Sequence, residues 1–175
     1  MKLGLEIWTI GYGAWLLAGT ADFLCHRRTD LSHTSGLPES ALHVAQVALI
    51  GCGVILTLLF QMSPAVAAAL AVLVAAHAVA GYLDTRSAYG RRDIRPIEQH
   101  LHSVLDTAPA FALVAVVAAT WPAAGQTGWT WDLRQPALSV LVWASVLLPA
   151  VVLCAVPALL EFGAALAARR ARHNG

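Results

Sequence analysis

Pairs of one acid and one histidine recur along this chain. Glu98 and His102 are four residues apart, and a helix places two such residues on one face. Three other segments repeat the pairing. Carboxylate oxygens and imidazole nitrogens together suit iron, manganese or zinc better than calcium or copper(I). The pattern predicts a membrane-embedded metal site whose ligands are Asp22, His26, Glu39, His43, His77, Asp84, Glu98 and His102.

Asp106 continues the row of Glu98 and His102 one turn further along the same segment. An acid outside the ligand pairs can carry protons to and from a reacting group, so we predict a catalytic role for Asp106. The alternatives are that it orients a ligand histidine, as carboxylates behind metal sites do, or that it makes a local hydrogen bond to Ser103 or Thr107.

The composition is that of an integral membrane protein. Of the 175 residues, 58% are hydrophobic and 12% are charged, and the mean hydropathy is +0.67. Soluble domains average about 25% charged residues. The net charge of +1 gives no indication of nucleic-acid binding, and the three cysteines have no paired spacing that would indicate disulfides or a cysteine zinc site. We predict one membrane domain over residues 1–175.

Five apolar segments are long enough to cross a bilayer as helices, which needs about 20 residues each. A cleaved signal peptide is the less favoured interpretation of the first segment, because its apolar run continues past the small residues where cleavage would fall. The predicted fold is all-α, with helices 1 to 4 bundled around the metal site and the fifth packed outside or at a contact between subunits of a homo-oligomer. The segments lie at about 7–26, 38–61, 64–85, 96–121 and 137–160.

The distribution of basic residues predicts the orientation of these helices. Nearly all Lys and Arg residues lie in the loops after the first and third segments and in the C-terminal tail. By the positive-inside rule the N-terminus lies outside and the C-terminus in the cytoplasm. We predict a multi-pass protein of a bacterial-type inner (plasma) membrane. Each acid and histidine pair then lies near the cytoplasmic end of its helix. Antiparallel helices would bring all four pairs into one interior space.

The charge of the predicted site agrees with two metal ions. Asp22, Glu39, Asp84 and Glu98 carry four negative charges when ionised, which two divalent cations neutralise. In its choice of ligands the chain resembles the carboxylate and histidine dimetal proteins of diiron type, which hold their metals inside four-helix bundles. That resemblance covers about the first 106 residues. The spacing here has three residues between acid and histidine, where those proteins have Glu-x-x-His.

Several functions fit such a site. A dimetal site, with iron as the first choice and zinc or manganese as alternatives, suits oxidation with O₂ of a lipid-soluble substrate such as an acyl chain, an isoprenoid or a quinone. A zinc hydrolase of a lipid ester, amide or phosphate is the second candidate. A metal transporter or sensor is the third. The almost wholly apolar outer halves of helices 2 to 4 favour an enzyme over a transporter.

Simpler interpretations exist for individual residues. Glu39 and Glu98 each follow a proline in a first helical turn, where the helix dipole favours an acid by about 0.3–1 kcal/mol. Asp84 is a candidate partner of Arg86, and the other loop arginines are read as topology signals. Glu161 is read as a cap of the fifth helix against the basic tail. His33 and His173 are predicted to be solvated.

Overall fold

The computed structural model describes residues 2–174, except for the side chains of residues 2–8 and 174, and helices account for 81% of it. No strand occurs among these residues, and β pairing is limited to one antiparallel bridge between Phe60 and Leu133. A 3₁₀ turn at Leu31–His33 follows the first helix, and a π turn at Val151–Ala155 joins the last two. The α-helices are α1 (Lys2–Arg28), α2 (Leu37–Leu59), α3 (Pro64–Ala88), α4 (Pro96–Ala124), α5 (Val140–Ala150) and α6 (Val156–Asn174).

Prolines begin three of these helices. Pro38, Pro64 and Pro96 occupy the first turn of α2, α3 and α4, where the missing N–H leaves no hydrogen bond unmade. At α3 the preceding Ser63 also caps the helix, because its hydroxyl accepts a hydrogen bond from the backbone N–H of Val66 at 3.2 Å. These local signals fix where α2 to α4 begin.

The last three elements form one continuous helix, which we call the C-terminal helix (residues 140–174). The prediction that the fifth helix ends near residue 160 is therefore wrong. The helix continues because residues 156–174 are amphipathic: Ala158, Glu161 and Ala165 are buried at helical spacing, whereas Arg169 and Arg170 are exposed. The part of this helix from residue 156 onward packs against the 3₁₀ turn at Leu31–His33.

The helices are arranged as a ring of five. α4 packs against α1 and α3, α2 packs against α3 and α6, and α6 with the π turn packs against α1. Contacts between α1 and the C-terminal helix are polar as well as apolar: the Tyr12 hydroxyl donates to the Val146 carbonyl at 2.7 Å, and the Thr20 hydroxyl to the Leu153 carbonyl at 3.0 Å. The fifth helix thus closes the bundle, which corrects the prediction that it packs outside helices 1 to 4.

Four helices are long and apolar enough to cross a membrane: α2, α3, α4 and the C-terminal helix over Val140–His173. Among the described residues α1 does not meet that criterion. Large apolar side chains cover the outer surface of the ring, among them Val72 at 67% exposure and Phe111 at 74%. Such a surface indicates a membrane protein, because water-soluble monomers do not expose contiguous apolar surface of this extent.

Candidate metal centre

Ionisable side chains from all five helices meet at one end of the ring. Asp22 and His26 come from the end of α1, Glu39 and His43 from the start of α2, and Asp84 from the end of α3. All nine members are buried or half-buried. We call this group the polar cluster: Asp22, His26, Glu39, His43, Asp84, Arg92, Glu98, His102 and Glu161.

Glu161 is bonded to two histidines at once. Its Oε2 lies 3.0 Å from Nδ1 of His26, and its Oε1 lies 2.5 Å from Nδ1 of His43. An ionised carboxylate only accepts hydrogen bonds, so both Nδ1 atoms donate, and in the neutral rings both Nε2 atoms are left as lone pairs. The two rings are stacked, with centroids 4.5 Å apart and planes 4° from parallel. A carboxylate that holds Nδ1–H is the usual support behind a histidine metal ligand.

The Nε2 atom of His26 faces acceptors. It lies 3.3 Å from Asp22 Oδ2 and 3.4 Å from Glu98 Oε1, while Nε2 of His102 lies 3.2 Å from Asp22 Oδ1. One ligand atom from each of these four residues lies within 4.8 Å of the other three. His26 Nε2, Asp22 Oδ1 and Glu98 Oε2 are buried and have no hydrogen bond. Buried nitrogen and oxygen atoms that converge at this distance form an arrangement that a metal ion can complete.

A second set of ligand atoms lies beside the first. His43 Nε2 is 3.1 Å from Asp84 Oδ1, and neither atom has a hydrogen bond. His26, Glu39 and His43 also offer ligand atoms within 4.8 Å of one another. The two sets of ligand atoms share His26 and together could hold a metal ion.

Arg92, from the loop between α3 and α4, lies inside the cluster rather than at the membrane surface. Its Nε donates to Glu39 at 3.1 and 3.2 Å, its Nη2 donates to both Glu39 and Glu98, and its Nη1 donates to Thr29 at 3.3 Å. Burial alone would lower the pKa of this guanidinium, but the hydrogen bonds that it donates to the Glu39 and Glu98 carboxylates outweigh burial and raise the pKa above its ordinary value. Arg92 thus stays charged.

The net charge of the cluster, with its carboxylates ionised and its histidines neutral, equals the charge that two divalent cations would neutralise. Its five carboxylates carry five negative charges when ionised, and Arg92 returns one positive charge, which leaves four negative charges. Buried charge in a low-dielectric bundle needs compensation by metal ions or by protons. The sequence also predicts four negative charges, from Asp22, Glu39, Asp84 and Glu98. In the structure Glu161 adds one negative charge and Arg92 offsets it.

The structure places two of the predicted residues outside the converging ligand sets. His77 is 4% exposed with an unpaired Nδ1, and it lies two turns from Asp84 along α3. Asp106 lies one turn beyond His102 and packs against Gly81, where an added Cβ would stand 2.5 Å from Asp106 Oδ1. Both side chains line the cavity described next.

An elongated cavity of about 510 Å³ begins at the polar cluster and continues inside the ring. All five helices line it. Its polar end includes Asp84, His102 and Glu161, and its far end is formed by Tyr12, Ile55 and Leu147. Most of the wall between these ends is apolar. The described residues that line the cavity include no Lys or Arg.

Two members of the cluster, Glu161 and Arg92, were not among the predicted ligands. The sequence carries a signal for Glu161, because seven residues without charge follow it before Arg169, and an acid inside such an apolar stretch needs a buried partner. Arg92 carries no such signal, since Arg86, Arg91 and Arg95 share its loop. Only the folded chain distinguishes it from them.

Comparison with known proteins adds no relative: no family model, no curated protein and no solved structure matches this chain.

Proposed function

We propose that this protein is a membrane-embedded, metal-dependent oxidoreductase that acts with O₂ on a lipid-soluble substrate. The observation that carries the proposal is the contact of one carboxylate, Glu161, with Nδ1 of both His26 and His43. This contact leaves Nε2 of each ring directed at buried carboxylates, Asp22 and Glu98 beside His26 and Asp84 beside His43.

In this proposal each residue has a defined task. Asp22, His26, Glu98 and His102 hold one ion, and His43 with Asp84 and Glu39 holds the second. Two redox-active ions of iron or manganese would supply electrons for the reduction of O₂ that accompanies oxidation of the substrate. The apolar wall of the cavity binds the substrate and excludes water, and Asp106 holds or moves a proton beside the ligands. His77 lines the cavity wall two helical turns from Asp84 along α3.

The proposal includes a membrane topology of five spans with the polar cluster near the cytoplasmic face of a plasma membrane. The basic loops and the basic tail lie at the cluster end of the ring, which supports this orientation. α1 is counted as a span because Tyr12 and Thr20 bond to the C-terminal helix at the depth of the apolar segment. Its exposed Leu17 and Leu24 would face lipid.

Metal analysis with optical spectroscopy tests the proposal. We expect protein purified without added metal to hold about two ions of iron or manganese per chain and to change its absorption on reduction with dithionite and again on exposure to O₂. His43→Ala and Glu98→Gln should abolish both the metal and the response. The matched control His33→Ala should retain both, since His33 is exposed and bonds only to neighbouring residues of its own turn. A preparation without metal would contradict the proposal.

A zinc hydrolase is the second candidate, and the position of Asp106 favours it. This acid lines the cavity near the ligands but contacts none of them within hydrogen-bonding distance, which is where a proton shuttle for a metal-bound water would stand. A colourless preparation with stoichiometric zinc, indifferent to dithionite and O₂, would select this candidate. The ligand residues would be the same in either case.

A further inference from the structure

The length of the cavity matches one lipid chain. Along α2 the lining residues extend from His43 to Ile55, roughly 18 Å at about 1.5 Å per residue, and along the C-terminal helix from Glu161 to Leu147, roughly 21 Å. One leaflet of hydrocarbon is about 15 Å thick, half of the bilayer core of about 30 Å. The volume of about 510 Å³ lies within the range of roughly 300–1,000 Å³ for sites that hold a single small ligand.

The polar end of the cavity is unsuited to an anionic group. The carboxylates of Asp84, Asp106 and Glu161 face or approach it, and the lining residues that the structure describes include no Lys or Arg. Arg92 is committed to Glu39, Glu98 and Thr29. With two divalent ions bound, the net charge of the polar cluster is zero, and the Asp106 carboxylate adds a negative charge when ionised. A fatty-acid carboxylate or a phosphate would therefore meet no excess positive charge, whereas a hydroxyl, a carbonyl or an amide needs none.

The ring is open to lipid on one side of the cavity. α2 packs against α6, but it makes no extended contact with α5. Cavity-lining side chains on both sides of this gap are exposed, with Ile55 of α2 at 42% and Val151 of the π turn at 46%. A chain from the bilayer can enter between α2 and α5 without first crossing water.

We infer that the substrate is a single-chain lipid with a small uncharged head group, bound with its head at the polar cluster and its tail at Tyr12, Ile55 and Leu147. The inference rests on the proposed function and specifies the substrate of the same site. It places the reaction at the carbons next to the head group, because the ligand atoms stand at the head end and the far end of the cavity holds only apolar contacts and Tyr12.

Photo-crosslinking in nanodiscs tests this orientation with two probes, hexadecanol carrying a diazirine beside the hydroxyl and hexadecanol carrying one at the methyl end. We expect the first probe to label peptides containing Gln46 or Asp106, and the second to label peptides containing Ile55 or Leu147. Unlabelled hexadecanol should compete with both probes, and hexadecanoate should not. A reversed pattern, labelling only of outward residues such as Phe111, or preferential competition by hexadecanoate would overturn the inference.

Two glycine variants serve as a matched pair. Gly51 lines the cavity and Gly11 does not, and a Cβ at either position meets nothing within 4 Å. Gly51→Trp should reduce labelling by the methyl-end probe about tenfold, because an indole would fill the space that the tail occupies, and Gly11→Trp should leave it unchanged. Metal is measured on the same samples. Protein that contains metal but shows no labelling of the cavity would contradict this inference alone. Protein that lacks metal but shows the expected labelling would contradict the proposed function alone.

Discussion

At the scale of single residues, Glu161 determines which nitrogen of two histidines is available to a metal. Both of its oxygens accept from Nδ1, and the side chain is buried, with 6% of its surface exposed. If His26 and His43 bind metal as proposed, their ligand function depends on an acid that is not among the proposed ligands. Such supporting carboxylates raise the basicity of the histidine as well as fixing its orientation.

Glu161→Gln should weaken metal binding about 10–100-fold, the usual effect of losing a supporting carboxylate. The glutamine amide has one acceptor and one donor group, so it can serve only one Nδ1–H and would turn the other histidine to the tautomer whose Nε2 is protonated. Competition with a chelator in detergent measures the affinity. Asp93→Asn, at an exposed position of the loop, is the control. Unchanged affinity in Glu161→Gln would show that Glu161 does not control the ligands.

Arg92→Met should destabilise the folded protein by about 3–5 kcal/mol, since it leaves Glu39 and Glu98 buried without their cation. The raised pKa gives the pH dependence: stability from a raised pKa is lost only as pH rises through the folded value, and for arginine this lies far above neutrality. The difference between wild type and variant should therefore be constant between neutral and mildly alkaline pH. Unfolding of metal-free protein in detergent measures it.

The control for that measurement is Arg91→Met, because Arg91 is the exposed neighbour of Arg92. An equal loss of unfolding free energy in both variants would mean that the loop needs positive charge in general. The buried contacts of Arg92 would then have no special role.

The sequence predicts the histidines and acids of α1 to α4 because helical spacing is a local property. It does not predict Arg92, whose position depends on how a loop folds over the ends of α2 and α4. Glu161 belongs to the cluster only because the C-terminal helix packs beside α1 and α2. Both omissions concern contacts between residues that are distant in the chain.

At the scale of elements, α3 and α4 approach closely where Gly81 faces Asp106. A side chain at residue 81 would collide with the carboxylate, because the added Cβ would lie 2.5 Å from Oδ1 and 3.1 Å from Cγ. The absence of a Cβ therefore allows the acid to lie between the two helices at the cavity wall. Small residues at helix contacts serve this purpose in membrane bundles generally.

Gly81→Ala should destabilise the bundle by about 1–3 kcal/mol, the usual cost of forcing an extra atom into a packed contact. Asp106→Ala in the same chain should recover most of that loss, because it removes the atoms that collide. A double-mutant cycle of unfolding free energies measures the coupling. Gly53→Ala is the control, since its Cβ would make only ordinary contacts at 3.6 and 3.9 Å. Additive effects of the two substitutions would contradict the contact.

Helix starts are easier to predict than helix ends in this chain. Pro38, Pro64 and Pro96 mark the starts of α2, α3 and α4 by chemistry that acts within one turn. The C-terminal helix has no such mark at its end. Its apolar segment becomes amphipathic at Glu161, although the backbone hydrogen bonds of the helix continue. A prediction from hydropathy therefore places a helix end where only the composition changes.

At the scale of the whole molecule, the ring separates charge from hydrocarbon. Hydropathy is sufficient to predict an all-helical membrane fold, because only helices satisfy backbone groups inside lipid in a chain without barrel-length alternation. The order of the helices around the ring cannot be predicted from hydropathy. The outer and inner faces of these helices are both apolar, so the pattern does not specify which neighbour each helix takes. That order decides whether Glu161 reaches the histidines.

The order of the ring, together with the position of Glu161, requires that the C-terminal helix crosses from the Trp-rich end to the cluster end. Reporter fusions should therefore give opposite sidedness at residue 126, in the loop after α4, and at the C-terminus. A fusion at Gly90, in the loop that carries Arg92, should agree with the C-terminus and report the cytoplasm, because that loop and the tail share the basic residues. If residue 126 and the C-terminus reported the same side, the C-terminal helix would not span, and Glu161 would lie on a helix that enters and leaves the bundle at one face.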